Sequence, residues 1–247
     1  MTEPTPTTDI AHGLARVRER ISEAALRAGR DPAEITLVAV SKTFPAQAVR
    51  DAMKVGQRDF GENRVEEAVP KITEIGETEA RWHLIGHLQT RKAKDAAGHF
   101  ALIHSVDTLK LATAINSRVA ESMPAQDILL ECNISGEQSK SGFALQGWES
   151  HSALWRAFTR DVEQIIALPR VRVCGLMTMA PIVENAELAR PTFSGLRALR
   201  DALRQRFPKV GWDHLSMGMT DDFEVAIAEG ATLARIGRAI FGARPVN

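Results

Sequence analysis

Eight short apolar runs, nearly all separated by a stretch of helical period, predict an α/β fold: a single (β/α)8 barrel of the TIM type with an extra N-terminal helix. Strand–helix alternation of this kind implies parallel strands joined by right-handed crossovers. A length of 247 residues is that of one closed barrel. The alternative is an open doubly wound sheet. Against it, no Gly-x-Gly-x-x-Gly follows the first strand and no Walker-type loop occurs anywhere.

Residues 1–8 read as a flexible tail and 9–247 as one domain. Over 9–28, Ile10, Leu14, Val17, Ile21 and Ala25 recur at helical spacing, which gives an amphipathic helix ahead of the barrel. The first strand, 35–42, is a run of mostly branched or small apolar residues, as in a strand buried on both faces. It ends at Lys42, and Pro45 then opens a helix over 46–55 that Gly56 closes. Further strands are expected at 58–61, 82–86, 101–106, 127–134, 171–178, 213–217 and 232–236. Between them lie helices near 64–76, 88–97, 108–121, 150–167, 186–206 and 221–229. The longest loop candidate, 135–152, contains Gly136, Gly142 and Gly147 and is placed to cover the barrel mouth.

Composition narrows the function classes. Lys+Arg and Asp+Glu balance at 31 each, so no global field favours nucleic acid or an anionic membrane. No apolar stretch approaches a membrane span and the first residues are not a secretory signal. Cys132 and Cys174 lie inside apolar runs without Cys-x-x-Cys spacing and read as reduced thiols of a cytoplasmic protein. The chain contains no tyrosine.

In such a barrel the loops that follow the strands share one face, where ligands bind. That face collects Lys42, Glu62-Asn63, Gly86-His87, Asn133–Ser135, Met177-Thr178, Ser216–Thr220 and Arg235–Gly237. Lys42 is either a solvated charge at the strand exit or a working amine. Ser216, Met217, Gly218, Met219 and Thr220 form a small-residue turn ahead of a helix capped by Thr220 or Asp221. With Gly237 they occupy the loops after strands seven and eight, where barrels commonly hold phosphate. A tight capped turn with nothing bound is the other reading. Arg235 sits in an apolar run and must be satisfied, either by a core carboxylate or by donating to a ring nitrogen of a bound heteroaromatic.

Other motifs are weaker. His83 and His87 have helical metal-ligand spacing, but the residues between them look like a strand end. The cluster Arg91-Lys92-Ala-Lys94 lacks aromatic neighbours and reads as a solvated face. No Gly-x-Ser-x-Gly elbow supports acyl transfer. An amine and a phosphate site on one mouth suit a Schiff base with a phosphorylated aldehyde, and pyridoxal 5′-phosphate is the obvious case.

Seven motifs then match a known family in order. They are Val-Ala-Val-Ser-Lys-Thr at 38–43, Phe-Gly-Glu-Asn at 60–63, Trp-His-Leu-Ile-Gly-His-Leu-Gln at 82–89 and Asn-Ile-Ser-Gly-Glu-Gln-Ser-Lys-Ser-Gly at 133–142. Gly-Leu-Met-Thr-Met at 175–179, Leu-Ser-Met-Gly-Met-Thr-Asp-Asp at 215–222 and Arg-Ile-Gly-Arg-Ala-Ile-Phe-Gly at 235–242 complete the set. The chain resembles the pyridoxal-phosphate homeostasis proteins, which are similar to the barrel domain of bacterial alanine racemase. The resemblance implies a Schiff base at Lys42 and a cofactor ring near Asn63 and Met177. It places the phosphate around Ser216, Gly218, Met219 and Gly237, with Arg235 opposite the pyridine nitrogen. The chain departs from the family at Arg64, where tyrosine is usual, and at Arg91, where asparagine is usual.

That racemase draws a tyrosine base from a second domain, and this chain has neither. A guanidinium beside the ring nitrogen also disfavours its protonation and weakens the ring as an electron sink. The sequence therefore points to a carrier that stores, buffers or delivers pyridoxal phosphate, with apo-enzymes as transient partners and neither nucleic acid nor membrane. The alternatives are a pyridoxal-phosphate racemase or lyase and, behind them, a cofactor-free lysine Schiff-base aldolase.

Overall fold

The computed structural model describes residues 7–76 and 78–243. Its strands are β1 (Thr36–Val40), β2 (Asp59–Glu62), β3 (Arg81–Leu84), β4 (Leu102–Val106), β5 (Gln126–Asn133), β6 (Phe143–Ala144), β7 (Val171–Met177), β8 (His214–Ser216) and β9 (Leu233–Ile236). All but β6 form a closed parallel ring, β1-β2-β3-β4-β5-β7-β8-β9 and back to β1. At the closure Val38 lies opposite Arg235 and Ala39 opposite Ile236. The two-residue β6 pairs with the end of β5.

Both faces of the ring are covered, which is why strands such as β1 read as apolar runs. Outward residues such as Ala39, Phe60, Ile103, Leu130 and Leu176 pack under the helices. Inward, Val38, Leu102, Leu129, Met177 and Leu233 form a smaller cluster that fills the lumen. The barrel is a packed core, and in such folds ligands bind at the rim that the strand ends form.

The helices are α1 (Thr7–Arg27), α2 (Ala46–Lys54), α3 (Val65–Ile75), α4 (Ala93–Ala96), α5 (Leu109–Asn116), α6 (Ser152–Ile166), α7 (Arg190–Arg206), α8 (Phe223–Ala228) and α9 (Arg238–Phe241). In α1 the stripe Ile10, Leu14, Val17, Ile21 and Ala25 is buried, as its spacing predicts. This helix spans the seam between the first and last units. A Cβ on Gly13 would stand 2.8 Å from the Ile240 carbonyl oxygen, and Arg20 pairs with Glu224 at 3.0 Å.

The expected elements need four adjustments. Residues 1–6 of the expected tail lie outside the described residues, and α1 already begins at Thr7. The stretch 88–97 is a 3-10 turn followed by the short α4 rather than one helix. Helix α8 starts at Phe223, so Asp222 takes the N-cap position in place of Thr220 or Asp221. The Asp222 carboxylate turns back to accept the Met219 N–H at 2.6 Å, while Asp221 faces outward and pairs with Arg238 at 2.7 Å. The loop expected over 135–152 contains β6 and a 3-10 turn, Trp148–Ser150.

Candidate functional site

Lys42 stands two residues past Val40, on the parity of the inward Val38, and is half-buried. The chain turns immediately after it at Thr43, whose φ of 68° is left-handed and costly for a β-branched residue. The backbone before it is clamped from behind. Lys71 Nζ, on α3, donates to the Ser41 carbonyl at 3.0 Å and to Glu62 Oε1 at 2.6 Å. Ser41 Oγ donates to the same carboxylate oxygen at 2.6 Å. All three residues are buried, so the turn bearing the amine is fixed by an ion pair that water does not screen.

Two glycines shape the loops beside this turn. Gly218 has φ 91°, and a Cβ there would meet Phe223 Cα at 2.8 Å and Ala226 Cβ at 2.7 Å. At Gly237 a Cβ would lie 3.1 Å from the Val40 carbonyl oxygen, so the end of β9 packs against the end of β1. Among the described residues, the backbone N–H groups of Gly218, Thr220 and Gly237 have no hydrogen-bond acceptor. Donors without acceptors on adjacent loops make an anion-binding concavity. The Met219 N–H does not belong to it, because Asp222 takes that proton.

Arg235 is 5% exposed and is satisfied by neutral groups, the Ser216 hydroxyl at 2.6 Å and the Thr178 carbonyl at 2.9 Å. Burial pushes its pKa down to about 10, against the pull of Asp222 and Glu131, so it stays charged at neutral pH. Of the residues singled out in the sequence, Ser216 and Arg235 are thus joined directly, and Met177 lies in register with Ser216. The Ser216 side chain is wholly buried and turned toward Arg235 and His104. Asn63 is half-buried at the end of β2, where a Cβ on Gly86 would overlap its carbonyl.

The loop after β5 is organised by Asn133. Its Oδ1 accepts from Gly136 N at 2.9 Å and its Nδ2 donates to the Glu137 carbonyl at 2.9 Å. Lys140 then reaches the Met179 carbonyl at 3.1 Å and ties the loop to the end of β7. Arg64 and Arg91 are exposed and paired locally, with Glu67 at 3.3 Å and Gln89 at 2.9 Å.

Sequence reasoning missed a polar chain inside the lumen. Arg81 donates to both oxygens of Asp59, at 2.8 and 2.5 Å. His83 Nε2 lies 3.0 Å from Asp59, and His83 Nδ1 lies 2.9 Å from His104 Nε2. His104 Nδ1 is 2.8 Å from Ser216 Oγ, which completes the line to Arg235. Glu131 also faces this space. It is 2% exposed, its Oε2 has no partner, and burial with the nearby Asp107 charge pushes its pKa up to about 7. His87 sits apart at the rim, 3.3 Å from Asp107. Among the described residues no group of His, Cys, Asp and Glu could hold a metal ion, and no helix is long and apolar enough to cross a membrane.

A packed parallel barrel with the Lys42 amine and backbone donors on adjacent loops at its rim is a barrel of the alanine racemase type. The family model for the alanine racemase N-terminal domain matches residues 13–245. The pyridoxal phosphate homeostasis protein of Escherichia coli strain K12 is 46% identical over 246 residues, covering 96% of this chain and 97% of its own. That of Aquifex aeolicus is 43% identical over 231 residues, covering 94% and 96%. PipY of Synechococcus elongatus PCC7942, solved with PLP bound, is 35% identical, with a TM-score of 0.79 over 94% of this chain and 100% of its own. Alanine racemase of Clostridium difficile 630, at 13% identity and a TM-score of 0.70, shares the fold over 97% of this chain and 58% of its own. The chain belongs to the family of pyridoxal phosphate homeostasis proteins, within the alanine racemase N-terminal domain.

Proposed function

We propose that the chain binds pyridoxal 5′-phosphate at the barrel mouth through a Schiff base on Lys42 and acts in its intracellular homeostasis, by storage, buffering or delivery. The observation that carries the reading is the packing of Gly237 on Val40, which sets unsatisfied N–H donors beside the turn that bears Lys42. The residues fit the group: an amine for an aldehyde, backbone donors for a phosphate ester, and a buried guanidinium for the far side of a ring. When bound, pyridoxal phosphate supplies an aldehyde that condenses with an amine and a ring that withdraws electrons.

The chain's own part is to hold. The Ser41–Glu62–Lys71 clamp fixes the turn under Lys42, Gly218 and Gly237 let backbone N–H groups approach the ester, and Arg235 keeps a positive charge at the ring edge. No tyrosine is present to serve as the opposing base of a racemase. The relatives named for pyridoxal phosphate homeostasis and the PLP-bound PipY support this assignment. The test is the absorption spectrum before and after borohydride, with the labelled peptide identified by mass. A visible band that moves on reduction, with label on Lys42, is the expected result. Label on another lysine, or a band that persists in Lys42→Ala, would refute the tether, and rapid α-proton exchange of added amino acids would refute the carrier role.

A further inference from the structure

The lumen chain from Arg81 to Arg235 has a direction that donor counting fixes. A guanidinium only donates and a carboxylate only accepts, so both ends of the line are determined. Burial pushes the Asp59 carboxyl up, but hydrogen bonds from His83 and Arg81 outweigh it and hold the carboxyl below its usual range. Asp59 is therefore ionised and accepts the Nε2–H of His83. Burial, reinforced by His83, Arg235 and His214, holds the His104 pKa well below the ordinary imidazole value, so His104 carries one ring proton.

When each ring carries a single proton, the remaining protons have one arrangement. His83 Nδ1 accepts from His104 Nε2–H, and His104 Nδ1 accepts the Ser216 hydroxyl proton. The lone pairs of Ser216 Oγ are then left for Arg235. The charged or titratable groups facing this line are Arg81 and Asp59 at the barrel floor, His214 on β8, Glu131 on β5 and Asp222 beyond β8.

We propose that Asp59, His83 and His104 are positioning residues for Arg235. Their chain runs one way toward Asp59, commits the Ser216 proton inward, and so presents the guanidinium in a single orientation to the ring of bound pyridoxal phosphate. The role toward the ring rests on the proposed function, whereas the polarity of the chain does not. Nothing at the mouth anchors that polarity. It is set at the opposite end of the barrel, by a carboxylate clamped by an arginine.

The test uses protein labelled with 15N-histidine. In the ligand-free wild type, nitrogen shifts and long-range proton couplings should show His83 and His104 both protonated at Nε2. Asp59→Leu keeps the bulk but removes the acceptor at the barrel floor, so a proton on His83 Nε2 would be a buried donor with no partner. Both rings should then change to the Nδ1–H form, and Ser216 Oγ should receive two donors. In the loaded variant the pH midpoint of the cofactor absorbance should move by about one pH unit, with Lys42 still labelled by borohydride. A proton on His104 Nδ1 in the wild type overturns the proposal, and this reading stands even if the variant does not fold. Unchanged tautomers in Asp59→Leu, or an unmoved midpoint, also overturn it. Tautomers as expected without uptake of pyridoxal phosphate would instead overturn the proposed function, and with it the role toward the ring.

Discussion

Glu131 offers the sharpest test of the lumen electrostatics. It is a carboxyl in the middle of β5, 2% exposed, with one oxygen unpartnered. Its pKa in the folded chain is pushed from 4.5 up to about 7 by burial and by Asp107. A raised acid favours its protonated form in the fold, so folding binds a proton between those two values. Stability is then fully present below pH about 4.5 and is lost as pH rises toward about 7, beyond which the loss is constant. At about 1.4 kcal/mol per pH unit the full loss is of order 3 kcal/mol. Glu131→Gln keeps the shape and removes the titration. Urea unfolding of both proteins at pH 4.5, 6, 7 and 8.5 isolates this group, because the other titrating groups contribute equally to each. The variant's advantage should grow by about 3 kcal/mol from the lowest pH to the highest, with most of the rise between pH 5 and 7. A stability difference that does not change with pH would refute the burial argument.

Two further substitutions probe the site. Gly218→Ala places a methyl against Phe223 and Ala226 at a positive φ, and should cost about 1–3 kcal/mol in denaturant melts while weakening retention of pyridoxal phosphate on gel filtration. Lys71→Met removes the partner of the buried Glu62 and should destabilise by about 3–5 kcal/mol, whereas Lys71→Met with Glu62→Gln should recover much of that in the same melts.

All eight barrel strands were legible in the sequence, because residues buried on both faces leave an apolar run with little periodicity to misread. The place of Lys42 was legible too, since a lone lysine directly after such a run marks the strand end. Arg235 stood out as a charge among apolar neighbours, and the same signal could have exposed Glu131 in Leu-Leu-Glu-Cys-Asn. The polar line through the lumen was not legible. His83 and His104 lie on separate strands, and their contact depends on β3 pairing with β4 through His83 opposite Leu102, a register that periodicity does not encode. The N-cap was misplaced for a related reason: Asp221 and Asp222 are adjacent and chemically alike, and only the fold of the turn decides which one faces back toward Met219.

The way the ring closes also orders events during synthesis. The amine leaves the ribosome early, on the first strand, while the loops proposed to grip the phosphate come last, on the eighth and ninth. Until β9 docks on β1 and α1 straddles the join, a nascent chain holds the proposed tether without the proposed grip. On that proposed site, loading waits for the ring to close, and a product terminated before β9 would carry no cofactor.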